Sequence, residues 1–192
     1  MAVTLVKRSA TTTALTVRLQ GLTYNANQYA SIDFLLTDDN GYVNEFYQAP
    51  PTGAVKYKDC TFSSLTHSHR YYVECWIVYG TTSYYYGVLT VWTRPTDYGG
   101  FSISSGSTMI TASQWNAFLD KIGYMRSYKG LSWGSFSYVS SGDNFAATRF
   151  NEARTAINDM SPPTAVPSAV SAGGIIYASA LNGLVTSLNS IV

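Results

Sequence analysis

One segment occurs three times between Ser105 and Val192, and this repetition constrains the fold more than any other feature of the 192-residue chain. Each copy has an Ala four residues before an Asn, a bulky apolar residue directly before that Asn, and an aliphatic residue six positions after it. The bulky, Asn and aliphatic positions are Trp115, Asn116 and Ile122, then Phe150, Asn151 and Ile157, then Leu181, Asn182 and Leu188. Repeats of this kind build surfaces or assemblies more often than a single active site.

Each copy predicts one amphipathic helix, because its apolar residues recur at steps of three and four. We expect helices near residues 112–126, 147–160 and 178–191, with Thr111 as the N-cap of the first. The three copies then occupy about residues 103–130, 139–163 and 170–192. A helix of about 14 residues, ~21 Å long, cannot bury its apolar stripe alone, so the three must pack on each other or on a partner.

Residues 1–95 show the alternation of half-buried strands instead. Leu15, Val17 and Leu19 alternate with polar residues, and the run 38–41 (Asp-Asp-Asn-Gly) predicts a hairpin in which Asn-Gly takes positive φ values. The short strands predict a seven-stranded antiparallel β-sandwich. The fold class is therefore multidomain, β followed by α: a sandwich at 1–95, a Gly-containing linker at 96–102 and a helical module at 103–192.

The sandwich region resembles fibronectin type III domains. Leu65 and Tyr71 have the spacing of the tyrosine corner of that family, and the run 91–95 (Val-Trp-Thr-Arg-Pro) is similar to its last strand and exit. The resemblance covers about residues 4–95. It implies the immunoglobulin-like sandwich and a Tyr71 hydroxyl that bonds to the main chain of the preceding loop.

The repeated segment resembles C-terminal segments of structural proteins from tailed phages and prophages, over residues 103–192. This resemblance implies a virion protein that is made in a host cytoplasm. Its expected partners are other virion proteins and copies of itself, with a cell-surface glycan as a further candidate.

Composition narrows the possible partners. Charged residues make up 12% of the chain, about half of the ~25% usual in soluble domains, and there are 16 tyrosines. The net charge of +1 gives no electrostatic reason to bind nucleic acid or an anionic membrane. The N-terminal residues lack the apolar run of a signal peptide, and no apolar stretch of about 18 residues is present. We expect no signal peptide, nucleic-acid partner or membrane partner.

The residues that could carry catalytic or metal-binding chemistry are better explained by structural roles. His67 and His69 could share a metal if both lay on one strand, but no third ligand is evident, and a solvated loop is the preferred interpretation. The three repeated asparagines are expected to bond to a loop or turn of the neighbouring repeat. Cys60 and Cys75 are expected to face the core as thiols. We predict no catalytic residue, cofactor site or metal site.

Two sets of residues are candidate interfaces. Trp76, Tyr84, Tyr85 and Tyr86 alternate with core positions in the sandwich, and Leu188, Ile191 and Val192 make the C-terminus apolar. The sequence thus predicts a non-enzymatic structural protein of a tailed-phage virion that displays or docks its sandwich and assembles through its helical repeats. The alternatives are a carbohydrate-binding accessory module that uses surface aromatics, and an enzyme such as a wall hydrolase fragment.

Overall fold

The computed structural model describes residues 2–22, 31–49, 51, 55–101 and 110–192. Its contacts divide the chain into two compact units, Met1–Arg94 and Pro95–Val192. Each unit is described by itself below. In the described residues, every helix is too short or too polar to cross a lipid bilayer.

The first unit is an antiparallel sandwich of seven strands, as predicted. The strands are β1 (Thr4–Ala10), β2 (Leu15–Gln20), β3 (Ser31–Asp38), β4 (Gly41–Gln48), β5 (Tyr57–Phe62), β6 (Arg70–Tyr79) and β7 (Thr82–Trp92). One sheet has the order β1-β2-β5 and the other the order β4-β3-β6-β7. This arrangement of three and four strands is a fibronectin type III-like fold, which confirms the predicted fold class.

The core of the sandwich follows from the alternation in the sequence. On β2, Leu15, Val17 and Leu19 are each at most 1% exposed, and on β3 Phe34 is fully buried. Phe46 of β4 meets Phe62 of β5 from the opposite sheet at 5.3 Å between ring centroids. Burying a side chain of this size stabilises the fold by roughly 1.5–3 kcal/mol.

The hairpin between β3 and β4 lies where it was predicted, but its turn differs in detail. Asp38 pairs with Gly41, so Asp39 and Asn40 form the turn. Gly41 has φ +115°, whereas Asn40 is not among the positive-φ residues. The Asp38 carboxylate instead accepts the Asn40 N–H at 2.7 Å, and this bond satisfies the turn without a left-handed Asn.

The corner that precedes β6 joins a loop to the body of the sandwich. The Tyr71 hydroxyl accepts the Thr66 N–H at 2.9 Å, and both Leu65 and Tyr71 are buried, which confirms the predicted corner. Thr93, only 1% exposed, adds a second connection. Its hydroxyl donates to the Thr66 carbonyl at 2.6 Å and accepts the His69 N–H at 3.1 Å. The loop is therefore held from two sides.

The second unit contains three helices: α1 (Ala112–Tyr128), α2 (Ala147–Asn158) and α3 (Ala178–Asn189). All three begin at the predicted residue. The first ends two residues later than predicted and the other two end two residues earlier, yet Met160 and Ile191 beyond those ends remain buried. Thr111 is the N-cap of α1, as its place in the sequence predicted, and it also forms a capping box with Gln114.

The equivalent apolar positions of the repeats form the core of the helical unit. The side chains before the repeated asparagines are at most 6% exposed, and those six residues after them are fully buried. In copy order these are Trp115, Phe150 and Leu181, then Ile122, Ile157 and Leu188. Trp115 also contacts the ring of Phe145, at 4.5 Å between centroids, from the start of the next copy.

Candidate interaction surface

Two of the repeated asparagines hold the chain that leads into the next copy. The side-chain amide of Asn116 donates to the Val139 carbonyl at 2.9 Å and accepts the Val139 N–H at 3.0 Å. Asn151 does the same to Val170, at 2.7 and 2.9 Å. Both valines stand three residues before the Gly of the following copy. The predicted bond to a neighbouring repeat is thus confirmed for these two residues.

Asn182 behaves differently from its two counterparts. Its side chain is exposed, and its amide makes no hydrogen bond to another residue in the part of the chain that the structure describes. Its main-chain carbonyl accepts the Thr186 hydroxyl at 3.0 Å, a bond within α3. The predicted role is therefore not seen at the third copy.

Asn189 makes a further pair of bonds of the same kind that the sequence did not predict. It accepts the Tyr98 N–H at 2.9 Å and donates to the Tyr98 carbonyl at 3.0 Å. The only available signal was its position seven residues after Asn182 in the repeat. We call the three pairs Asn116–Val139, Asn151–Val170 and Asn189–Tyr98 the amide clamps.

The outer side of the four-stranded sheet presents side chains in rows that cross all four strands. Strand register sets Asp33 beside Tyr47 on one side and Trp76 on the other, and Trp76 beside Tyr85. The next row contains Glu45, Leu35, Glu74 and Val88 in the same strand order. Rings and carboxylates therefore lie side by side on one surface. The tyrosine–acid face is defined by Asp33, Glu45, Tyr47, Glu74, Trp76 and Tyr85.

The rings and carboxylates of this face interact with each other. Tyr47 is 69% exposed, and a hydrogen bond to Glu45 raises its pKa above the ordinary value. Tyr85 is 53% exposed, and its pKa is raised by partial burial and then by the charge of Glu74. The rings of Trp76 and Tyr85 lie 5.4 Å apart at 50° to each other. The face thus offers apolar ring area beside negative charge.

The predicted interface residues of the sandwich separate into two groups. Trp76 and Tyr85 belong to the tyrosine–acid face. Tyr84 is also exposed, but it pairs with the buried Ile77 and packs edge-on against the Tyr79 ring. Tyr86 is half-buried, close to the point where the β6–β7 register shifts. The three consecutive tyrosines therefore do not form one surface.

The predicted C-terminal interface needs a correction. Leu188 is fully buried and Ile191 is 1% exposed, so the chain's own helical unit already covers both side chains. They lie inward because their spacing continues the apolar stripe of α3 past its last turn. Val192, at 78% exposed, remains on the surface.

The two histidines lie in the loop before β6 and point to different partners. His69 Nε2 is 3.0 Å from the Asp38 carboxylate, while His67 Nδ1 is 3.2 Å from the Ser68 hydroxyl. Ser68, between them, has φ +54°, which breaks the strand geometry that a shared metal would need. Within the described ranges, no group of three or more His, Cys, Asp and Glu side chains is placed to hold a metal ion.

Both cysteines are buried in the sandwich, as strand parity predicted. Burial raises the pKa of Cys60 and that of Cys75 to about 12. A thiol with such a pKa is protonated at neutral pH and is a weak nucleophile. The geometry gives both side chains a packing role.

A groove of about 500 Å³ in the helical unit is lined by residues of α2 and by the segment after α1. Its main charged groups are already paired. Arg126 Nη1 lies 3.0 Å from the Asp159 carboxylate and donates to the Ala156 carbonyl, and Glu152 accepts the Ser137 N–H. These contacts join α1, α2 and the segment between them.

No known family profile matches the chain, and no curated protein matches it either. Solved structures do match part of the chain. The fibronectin type III domain of human collagen alpha-1(XX) is 18% identical, with a TM-score of 0.38, over 55% of this chain and 94% of that one. A computationally redesigned β-sandwich protein is 14% identical, with a TM-score of 0.39, over 48% and 93%.

Proposed function

We propose that the chain is a non-enzymatic structural protein of a tailed-phage or prophage virion. The sandwich is displayed or docked, and the helical repeats anchor the chain to the particle or to copies of itself. The observation that supports this most is the set of amide clamps. The repeated polar positions Asn116 and Asn151 hold main chain in place, which is a structural use of a repeated polar residue.

The surfaces of the sandwich are consistent with a role in contact formation. Large aromatic side chains lie exposed on the sheet, with Tyr42 at 68%, Tyr47 at 69% and Tyr85 at 53%. Tyrosine and tryptophan are common where two proteins meet because one end is apolar and the other polar. The virion assignment itself derives from the resemblance of the repeats to phage proteins.

The test is to look for the chain in particles. Particles from a culture that produces the chain would be purified by density gradient, washed in high salt and examined by quantitative mass spectrometry and immunogold labelling. We expect chain peptides at a fixed ratio to the major capsid protein, and gold at one site on the particle. A structural protein of the mature particle, recovered from the same gradient fraction, is the positive control. Recovery of the chain only from the soluble lysate would then refute the proposal.

A carbohydrate-binding module is the second candidate function. It is favoured by the row of Tyr47, Trp76 and Tyr85 with Asp33 among them, because sugar rings stack on aromatic faces and their hydroxyls donate to carboxylates. The 50° tilt between Trp76 and Tyr85 reduces the flat area that these two rings can share. A glycan array probed with the full chain tests this function, and loss of a positive signal in Trp76→Ala would assign it to this face.

A further inference from the structure

Arg18, on β2, shows how the sandwich holds a guanidinium group. Its side chain donates to the Asp59 carboxylate through two bonds of 2.6 and 2.7 Å, and its guanidinium carbon lies 3.6 Å from the centroid of the Tyr57 ring. Tyr57 and Asp59 are two residues apart on β5, so their side chains lie on the same side of that strand. A ring and a carboxylate at this spacing therefore hold one arginine.

Arg70 is held by the same two chemical groups, a ring and a carboxylate. It donates to both oxygens of Asp39 at 2.7 and 2.9 Å, and its guanidinium carbon lies 5.4 Å from the centroid of the Tyr72 ring. A planar guanidinium suits both contacts, because it bonds to a carboxylate along its edge and stacks on a ring with its face. The ammonium group of lysine is a compact point charge and does not reproduce this geometry. Arg70 is the only Arg or Lys in the sequence of the four-stranded sheet, residues 31–48 and 70–92.

The tyrosine–acid face contains the spacing of Tyr57 and Asp59 twice, without an arginine. Glu45 and Tyr47 are two residues apart on β4, and Glu74 and Trp76 are two residues apart on β6. The strand register places both pairs on the outer side of the sheet. Their two carboxylates form no ion pair with any residue in the described ranges. Each pair therefore presents an aromatic ring beside an uncompensated negative charge.

Asp33 adds a third carboxylate between these two pairs. It lies on β3, directly opposite Tyr47 on one side and Trp76 on the other. Its Oδ1 accepts the Ser31 hydroxyl at 2.6 Å, and it has no ion pair among the residues that the structure describes. Directly opposite residues have Cβ atoms about 4.5–5.5 Å apart, so a guanidinium stacked on either ring also lies near Asp33. Because the sheet carries no second Arg or Lys, its own side chains do not compensate these charges.

The distance between the two pairs defines what a partner must carry. β4 and β6 flank β3, so the pairs lie about 10 Å apart across the sheet, at about 4.8 Å between neighbouring strands. Two arginines three residues apart in an extended segment span about the same distance, at ~3.3 Å a residue. Four strands of about eight residues make a surface of about 500 Å², and a contact there buries about 1,000 Å² in total. This is below the ~1,600 Å² of a stable complex, so one copy should bind weakly and several linked copies more tightly.

We propose that the tyrosine–acid face binds an arginine-bearing segment of a partner protein. The Glu45–Tyr47 pair and the Glu74–Trp76 pair each hold one guanidinium group, as Tyr57 and Asp59 hold Arg18 within the chain, and Asp33 attracts both. The charge of the face selects this occupant over a neutral sugar, which would leave three carboxylates without a counter-charge. The inference rests on the proposed function only in that the sandwich docks on another protein.

The experiment is a titration of the ¹⁵N-labelled full chain with short peptides, followed by NMR at pH 7 in low salt. The probe is a capped peptide of Gly and Ser that carries two arginines three positions apart, and its counterparts carry two lysines or two glutamines there. We expect the arginine peptide to shift the indole N–H signal of Trp76, which Trp76→Phe assigns, in a saturable way. The lysine peptide should bind at least threefold more weakly, and the glutamine peptide should cause no shift. No shift with the arginine peptide, or equal affinity for the arginine and lysine peptides, would overturn the proposal.

Charge removal locates the contact on the sheet. Glu45→Gln and Glu74→Gln should each weaken binding of the arginine peptide by threefold or more, and the double variant by tenfold or more. Glu152→Gln, on α2, makes the same charge change outside the sandwich and should leave binding intact. A thermal melt of each variant checks its folding, and the comparison of peptides on the parent chain needs no variant. Unchanged binding by the double variant, or equal loss in Glu152→Gln, would show that the contact lies elsewhere and would overturn the inference.

A parallel titration with a neutral oligosaccharide tests the other class of ligand for this face. A Trp76 indole signal that shifts with the oligosaccharide and not with the arginine peptide would assign the face to a glycan and overturn the inference. The presence or absence of the chain in particles is decided separately by the particle analysis, so the failure of one proposal is distinguishable from the failure of the other.

Discussion

Asn116 and Val139, 23 residues apart in the chain, are joined by two hydrogen bonds that use both polar atoms of one side-chain amide. Replacing Asn116 with Ala would leave the N–H and the carbonyl of Val139 without these partners. We expect Asn116→Ala to lower the free energy of unfolding of the helical unit by about 1–3 kcal/mol. The measurement is urea denaturation followed by circular dichroism at 222 nm.

Two matched variants test whether the loss of stability comes from the two bonds between Asn116 and Val139 or from replacing any Asn. Asn116→Asp keeps an acceptor for the Val139 N–H but sets a carboxylate oxygen against the Val139 carbonyl, so its loss should be at least as large as that of Asn116→Ala. Asn158→Ala changes an exposed Asn in the last turn of α2 and should stay within about 0.5 kcal/mol of the parent. Equal losses in Asn116→Ala and Asn158→Ala would contradict the clamp.

Gly123 and Trp133 make a second contact with a measurable consequence. A Cβ added at Gly123 would overlap the indole ring of Trp133, although Ala is favoured over Gly inside a helix by about 1 kcal/mol. We expect Gly123→Ala to destabilise the helical unit by about 1–3 kcal/mol net, because the indole must move. In a double-mutant cycle, Trp133→Ala should abolish most of this penalty. A higher melting temperature for Gly123→Ala alone would exclude the close packing.

The tyrosine corner predicts a small loss of stability on removal of the Tyr71 hydroxyl. Tyr71→Phe keeps the ring and removes the acceptor of the Thr66 N–H, so the free energy of unfolding of the sandwich should fall by on the order of 1 kcal/mol. Tyr42→Phe, at a side chain that is 68% exposed, is the control and should have little effect. Thermal unfolding of both variants checks the prediction, and an unchanged Tyr71→Phe melt would count against the corner bond.

Three carboxylates make the stability of the sandwich depend on pH. The pKa of Asp59 is lowered mainly by its bond from Arg18, that of Asp38 by the Asn40 N–H, and that of Asp39 by Arg70. The folded pKa values of these carboxyls lie below the unfolded value of about 3.9. Their contribution to the stability of the sandwich is therefore complete above that pH, and it is lost as the pH falls through the folded values.

The melting temperature should therefore be steady from pH 7 to about 5 and fall steeply below about pH 4. Asp59→Asn should melt lower at pH 7 and show a shallower fall in acid, since one of the groups no longer titrates. Parallel curves for the parent and Asp59→Asn would show that the Arg18 contact contributes nothing to the pH dependence.

The buried thiols should be unreactive until the sandwich unfolds. At pH 8, Cys60 and Cys75 are mainly protonated and shielded, so iodoacetamide should label neither in the native protein and both after denaturation without reductant. Mass spectrometry measures the number of labels. A denatured, unreduced protein that takes no label and is two hydrogens lighter would reveal a disulfide.

Local patterns in the sequence predicted much of the fold. The alternation at Leu15, Val17 and Leu19 and the repeated Ala-to-Asn spacing depend on neighbours a few residues away, and a single sequence displays them. The contact between Asn189 and Tyr98 spans 91 residues and depends on which segments the fold brings together. Thr93 looked like an ordinary strand end for the same reason, although its hydroxyl joins two parts of a loop.

The candidate surfaces were harder to predict than the core. Alternation indicated that some of Trp76, Tyr84 and Tyr85 point outward, but the sheet order was needed to bring Tyr47 and Asp33 into their row. The C-terminal prediction failed for Leu188 and Ile191 because apolar character does not say whether a side chain is covered by its own chain or by a partner.

The amide clamps bind main-chain atoms, so these bonds do not depend on which side chain the bound residue carries. Asn116 reaches across 23 residues and Asn151 across 19, so the connection between one copy and the next already tolerates a difference in length. Connecting segments of different length therefore lead from α1 and from α2 to the same pair of amide-to-backbone bonds. Positions in these segments that do not pack on a helix, unlike Trp133 against Gly123, are where new surface specificities would arise without a change in the scaffold.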